Sequence, residues 1–275
     1  MKLMAGKKGI IFGVSNKKGI AYAIAKALHD QGAELALSYA GEIMESRVKP
    51  IAEAMGVKLC ISCDVTKDEE IANAFAEFGK TFGTCDFVVH AVAYALREEL
   101  TGDYSNISRA GWDIALGVSA YSLIPMARYA KPLMTNGGSI IALSYIGAEK
   151  SVPNYNIMGT AKAALESNVR YLAAEFGPIN IRVNAISAGP MKTLAAKGIG
   201  GFDILYKVNQ IRSPLKRNIT AEEVGNTGLF LCSDMSTGIT GEVLHVDCGF
   251  HSVALVREDA LLVGIDPNRD ENSLG

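Results

Sequence analysis

A tyrosine and a lysine seven residues apart, Tyr155 and Lys162, close the stretch SYIGAEKSVPNYNIMGTAK that begins at Ser144. On one helix that spacing returns both side chains to the same face after two turns, roughly 10 Å along the axis. A lysine ammonium near a phenol favours the phenolate by Coulomb attraction, which makes the tyrosine a better acid than it is in water. The same ammonium can hydrogen-bond ribose hydroxyls. A tyrosine at a helix start and an exposed lysine are also common without any function, so the pair needs a setting. The stretch holds a second tyrosine, Tyr145, which can either share the chemistry or only pack.

The elements that must position these residues alternate along the chain. Strand-like apolar runs occur at KGIIFG, AELALSY, VKLCISC, DFVVHA, SIIALSY, IRVNAIS and EVLHVD. Helical patterns lie between most of them: IAYAIAKALHDQG, EIMESRVKPIAEAM, DEEIANAFAEFGKTF, a long one through Trp112 to Met134, and NYNIMGTAKAALESNVRYLAAEFG. Pro125 is expected to kink or interrupt the long one. A further helix starts at Thr220, where TAEE forms a capping box ahead of an apolar stripe. Strands apolar on both faces, alternating with helices, imply a parallel sheet covered on both sides, and right-handed crossovers make it doubly wound. The expected fold is a single-domain α/β, Rossmann-like unit over residues 1–255. It carries a loop-rich insert at about 191–218 and a polar tail, 256–275, expected to be poorly ordered.

Composition removes several function classes. The 275 residues are 49% hydrophobic and 20% charged, with a formal net charge of −2, so no basic excess points to nucleic acid or an acidic membrane surface. The apolar run in MKLMAGKKGIIFGV is too short for a signal peptide and flows into a glycine-rich turn, so it reads as the first strand. No stretch approaches a membrane-spanning length, and a cytoplasmic location is the expectation. CISC at 60–63 matches C-x-x-C, but in a strand its side chains point to opposite faces, which favours core cysteines over a redox or metal site.

The first strand runs into GVSNKKGIAYAIA, with Gly13 and Gly19 six residues apart and a helix opening at Ile20. Small residues there let a backbone approach a pyrophosphate, whose charge sits on the free N–H groups of the helix terminus. In a doubly wound sheet this is the expected dinucleotide turn. After the second strand, LALSYAGE offers neither an acid for a ribose 2′-hydroxyl nor an early arginine for a 2′-phosphate, and Arg47 lies further on. The missing cation favours NADH over NADPH, since a desolvated phosphate without a partner is costly. Asp64, at the end of the third strand, reads equally as an adenine neighbour or a helix N-cap. HAVAYA (90–95) supplies small side chains at the fourth strand's end, with His90 read as a packed strand histidine.

Against this background the chain resembles the short-chain dehydrogenase/reductases, and within them the divergent enoyl-acyl-carrier-protein reductase branch. Typical members carry Tyr-x-x-x-Lys, which would need tyrosine at position 158. Met158 stands there, and the motif reads Tyr-x-x-Met-x-x-x-Lys across Tyr155, Met158 and Lys162. The segments GIAYAIAKALHDQGAELALSY, IRVNAISAGPMKTLAAKGI, EEVGNTGLFLCSD and ITGEVLHVDCGF carry the likeness too, which spans about residues 6–252. The resemblance implies reduction of a trans-2-enoyl thioester on acyl carrier protein, with hydride added to C3 and the resulting enolate stabilised by Tyr155. It makes Tyr145 and Lys162 the other catalytic residues, with Tyr145 positioning substrate and Ala95 contacting it. Gly13, Gly19, Ile20, Asp64, Val65, Val92, Lys162, Met191, Thr193, Leu194 and Ala195 fall to the cofactor.

The same resemblance implies a homotetramer and a substrate lid at about 191–218. In the lid, Ile199, Phe202, Ile204 and Leu205 suit a fatty chain. Lys192, Lys197, Lys207, Arg212, Lys216 and Arg217 either attract an acidic carrier protein or form a solvated scatter. Ala40, Ala91 and Gly19 depart from the family's usual residues. A carbonyl reductase of the same fold is disfavoured by Met158. A non-catalytic nicotinamide-binding regulator is disfavoured because both Tyr155 and Lys162 are retained.

Overall fold

Seven parallel strands form one sheet: β1 (Lys8–Phe12), β2 (Glu34–Tyr39), β3 (Leu59–Ser62), β4 (Phe87–His90), β5 (Gly138–Ser144), β6 (Ile181–Ala188) and β7 (Val243–Val246). Their order is β3-β2-β1-β4-β5-β6-β7. The structure is a computed structural model and describes residues 2–193 and 200–259. β1 pairs with β2 on one side (Ile10 against Ala36) and with β4 on the other (Ile10 against Val88), so the strand order reverses between β1 and β4. In such sheets ligands bind in the crevice that opens at this switch point, beyond the carboxyl ends of the strands.

Alternation along each strand feeds two cores. Ile10, Phe12, Val88, Ile140 and Ala142 point to one face, under α3 (Asp68–Phe82), α5 (Leu123–Ala130) and α6 (Ile157–Phe176). Ile11, Val89, Ile141 and Leu143 point to the other, under α1 (Ile20–Asp30), α2 (Gly41–Ala54) and α8 (Ala221–Cys232). The C-x-x-C pair divides the same way: Cys63 is buried in the first core, and Cys60 packs against the second. All five cysteines are free.

Two helices differ from the sequence pattern. The long fourth helix is α4 (Arg109–Leu116), a π-helical turn (Gly117–Tyr121) and then α5. Pro125 lies four residues after Tyr121. It has no N–H for the Tyr121 carbonyl and its ring crowds that carbonyl, so the ladder is interrupted just ahead of the proline. The fifth helical segment does not begin at Asn154. Asn154 and Asn156 both have positive φ (61° and 39°), a backbone that asparagine tolerates better than most residues, and α6 starts at Ile157.

Among the described residues no helix is long and apolar enough to cross a membrane, and no group of three or more His, Cys, Asp or Glu side chains is placed to hold a metal.

Candidate active site

The phosphate end is built by backbone. β1 ends at Phe12, and Gly13 follows with φ +100°. A Cβ there would lie 2.1 Å from the Ala91 carbonyl oxygen, so only glycine lets the turn pass the end of β4. Asn16 shapes the rest of the turn, its side-chain oxygen accepting from the Lys18 N–H (2.8 Å) and its carbonyl from the Gly19 N–H (3.2 Å). Gly19 is the N-cap of α1, which has no side-chain cap and no acid in its first turn. The opening N–H groups of α1 thus face the switch point with no capping side chain, a donor set that fits a pyrophosphate. Gly19 itself is sterically open, with φ −81° and no atom nearer than 3.4 Å to an added Cβ.

At the later strand ends Asp64 is not the N-cap of α3. Its carboxylate accepts from the N–H and hydroxyl of Thr66 (3.0 and 2.8 Å), closing the turn ahead of α3, whose N-cap is Lys67. Val65 is buried in the core, Val92 packs against it, and neither lines the central cavity.

That cavity, about 390 Å³, lies above the ends of β4, β5 and β6 and brings together Ile20, Ala95, Tyr145, Tyr155, Lys162, Met191 and Thr193. Leu194 and Ala195 lie outside the described residues, as do Lys197 and Ile199. Tyr145 follows β5 directly, in extended backbone (φ −153°). Its ring meets that of Tyr155 edge-on, with centroids 4.8 Å apart and planes at 68°. Leu100, Tyr155 and Met158 form a small apolar cluster against which Ala95 and Tyr145 pack. Tyr155 is therefore not on the helix face that carries Lys162. It reaches the cavity from the turn before α6, although both side chains still meet there.

Burial dominates the electrostatics. It pushes both phenols up, and the negative charge of Glu166 adds to the effect on Tyr155. Burial is the largest influence on the Tyr155 phenol, and the Lys162 Nζ donates to the Leu143 carbonyl at 2.7 Å. A neutral phenol is a hydrogen-bond donor rather than a phenolate. Burial pulls Lys162 down to about 8, opposed by Glu166. His90 is fully buried, its Nε2 2.8 Å from the Ser122 hydroxyl. Burial, then the Lys162 charge, holds it down to about 3, so it stays neutral as a packed strand histidine.

The segment over the cavity is the helix α7 (Phe202–Arg212), from which Phe202 and Leu205 line the wall. Ile204 does not join them: it is 70% exposed and points away. The basic residues nearby are largely engaged. Arg212 pairs with Asp259 (2.9 Å), Lys216 with Glu258 (2.7 Å) and Arg217 with Glu223 (2.6 Å), while Lys192 lies 4.8 Å from the Tyr206 ring centroid. The start of the polar tail is therefore tied to α7. Residues 260–275 lie outside the described residues.

Sequence reasoning missed two groups that hold residues of the cavity wall from behind. Ser119, on the π-helical turn, accepts from the Tyr94 N–H (3.0 Å) and so fixes the loop that carries Ala95. Glu166, four residues after Lys162, is buried and accepts a hydrogen bond from Ser144. Its i+4 spacing from Lys162 was the available signal.

A parallel sheet in this order, with a glycine turn and an uncapped helix at its switch point and a tyrosine and lysine above the strand ends, defines a dinucleotide-binding doubly wound protein. The comparisons specify it further. A sequence model described as enoyl-(acyl carrier protein) reductase matches residues 13–251. The chain is 50% identical over 258 residues to an enoyl-acyl-carrier-protein reductase (NADH) of Rhizobium meliloti strain 1021, covering 94% of this chain and 95% of that one. It is 51% identical to the crystallised Anaplasma phagocytophilum reductase in complex with NAD, with a TM-score of 0.89 over 92% of this chain and 97% of that one. The Aquifex aeolicus enzyme, described as NADH-dependent, superposes with a TM-score of 0.90 at 49% identity, over 92% of this chain and 100% of that one. The chain belongs to the enoyl-acyl-carrier-protein reductase family.

Proposed function

We infer that this protein reduces trans-2-enoyl thioesters carried on acyl carrier protein, with NADH as the reductant. The observation that carries the reading is the meeting of Tyr155 and Lys162 in one cavity, while Met158 fills the position where a carbonyl reductase needs its tyrosine. When bound, NADH supplies a hydride to C3 of the enoyl group. Tyr155, a neutral phenol, donates a hydrogen bond to the thioester oxygen, where negative charge develops with two carbons between it and C3. A proton delivered to C2 completes the saturated acyl thioester. Tyr145 orients the substrate from the strand end, and Lys162 holds the ribose hydroxyls. The opening N–H groups of α1 take the pyrophosphate, with Thr193 beside it. Phe202 and Leu205, with Ala95 opposite, give the acyl chain an apolar wall, and α7 serves as the lid.

The single domain of residues 1–255 works as a homotetramer in the cytoplasm. The oligomer is supported by aromatic side chains left exposed along α4, the π-helical turn and α6: Trp112 at 40%, Tyr121 at 45% and Tyr171 at 78%. Sedimentation at several concentrations checks the assembly. The activity is tested by mixing the protein with an enoyl thioester and either NADH or NADPH, following cofactor absorbance. Rapid oxidation of NADH is the expected result. Oxidation with a ketone but not with the enoyl thioester would overturn the assignment.

A further inference from the structure

Glu166 is a buried acid with no part in the reaction as derived above. It is 6% exposed, and Ser144, which donates its hydroxyl to Glu166 Oε1 at 2.5 Å, is 5% exposed. A buried carboxylate is costly unless hydrogen bonds and an opposite charge compensate it. Ser144 supplies the hydrogen bond. The opposite charges that act on it are His245 and Arg170, while Lys162, one helical turn earlier on α6 and itself 5% exposed, lies on the same face and feels its charge. The two residues also tie α6 to consecutive residues of β5. Lys162 Nζ holds the Leu143 carbonyl and Glu166 holds the Ser144 hydroxyl, and the next residue is Tyr145. Tyr145 in turn packs edge-on against Tyr155.

We propose that Glu166 is a positioning residue: it fixes the end of β5, and with it Tyr145, against α6, and it keeps the neighbouring Lys162 in its ammonium form for the cofactor. The second half rests on the reading of Lys162 as a cofactor contact. The charges around the pair bear on it from several elements. Glu166 acts on Lys162, and Lys162 acts in turn on His90 of β4, which stays neutral. Glu149 after β5, His245 of β7 and Arg170 of α6 act on Glu166. Glu149 Oε1 accepts from His245 Nε2 at 2.8 Å. Burial and Glu149 push Glu166 up, while the Ser144 hydrogen bond, His245 and Arg170 oppose that. Against the burial that draws Lys162 down to about 8, Glu166 is the opposing charge.

The test follows the Lys162 side chain by NMR of isotope-labelled lysine in the cofactor-free protein, together with NADH affinity by fluorescence across the same pH range. In Glu166→Gln, which keeps an acceptor for Ser144 but removes the charge, the Lys162 titration should move to lower pH than in wild type. The pH at which NADH affinity is lost should move with it, and turnover should recover at pH values low enough to keep the lysine charged. In Glu166→Asp, which keeps the charge but shortens the reach to Ser144, the titration should stay near wild type while kcat falls and KM for NADH holds. An unchanged Lys162 titration in the Gln variant would overturn the electrostatic half. Wild-type kcat in the Asp variant would overturn the positional half, and that arm decides the matter if the Gln variant does not fold. Failure of the wild-type protein to reduce an enoyl thioester would sink the functional reading, yet the lysine titration would still decide the role of Glu166.

Discussion

Helices α1 and α8 pack against each other on one face of the sheet, yet they begin in opposite ways. α8 opens on a complete capping box. The Thr220 hydroxyl accepts from the Glu223 N–H (3.2 Å), and the Glu223 carboxylate accepts from the Thr220 N–H (2.8 Å). Arg217 sits on that carboxylate and holds it down to about 2. α1 opens on glycine, with no capping side chain and no acid. The contrast separates two uses of the same backbone physics. A helix start satisfied by its own side chains contributes stability. A helix start left to its bare N–H groups beside the switch point is available to an anion. The fold compensates through close packing, since Gly225 of α8 approaches α1 so nearly that a Cβ would lie 2.7 Å from the Ala23 carbonyl oxygen.

If the backbone-built phosphate end and the side-chain-built chemical end are separate devices, each can be broken alone. The largest effect is expected from Tyr155→Phe, which should lower kcat by about 10²–10⁴-fold while NADH affinity, measured by fluorescence, stays near wild type. A matching loss of affinity would show that the two ends are not independent. Next is Gly13→Val, where a side chain is forced against the Ala91 carbonyl at φ +100°. Overpacking and backbone strain together should cost about 3 kcal/mol or more in urea unfolding.

Gly19→Asp tests the comparison most directly, because it gives α1 the kind of start that α8 has. The cofactor-free protein should gain only about a few tenths of a kcal/mol from the new cap, because glycine is already a tolerated N-cap. NADH affinity should fall by about tenfold or more, as a carboxylate meets the pyrophosphate. Higher NADH affinity in this variant would remove the anion site from the start of α1. The smallest effect belongs to Thr220→Ala, which should cost about 1 kcal/mol of stability with kcat and NADH affinity unchanged. The sign of the acid dependence at α8 follows from Glu223. Because its folded value is depressed, its contribution is present above the ordinary glutamate range and is lost as pH falls toward about 2. Its side chain is 35% exposed, so solvent screens much of that contribution.

Much of this was legible along the chain because it depends on neighbours in sequence. Two-sided apolar strands alternating with helices specify a covered parallel sheet, and the TAEE box announces the start of α8. The spacing of Tyr155, Met158 and Lys162 carries the resemblance to the enoyl reductase branch. The helix containing Tyr155 was misread because NYNIMG keeps a helical apolar pattern, whereas the backbone turns through two asparagines at positive φ before α6 begins. Ile204 was misassigned for a related reason: composition says a helix is apolar, but only its docking says which side faces the cavity.

Residue order by itself determined the period of each element, its caps, and which residue types stand at the strand ends, since these follow from local sterics and from the faces that must be buried. Tertiary structure alone decided that Lys162 turns to the Leu143 carbonyl, that burial pushes the Tyr155 phenol up from its ordinary range, and that Ser144 meets Glu166 across 22 residues of chain. Those outcomes depend on how far groups are removed from water and on which polar atoms meet in the interior. Both are fixed only when distant segments are brought into contact.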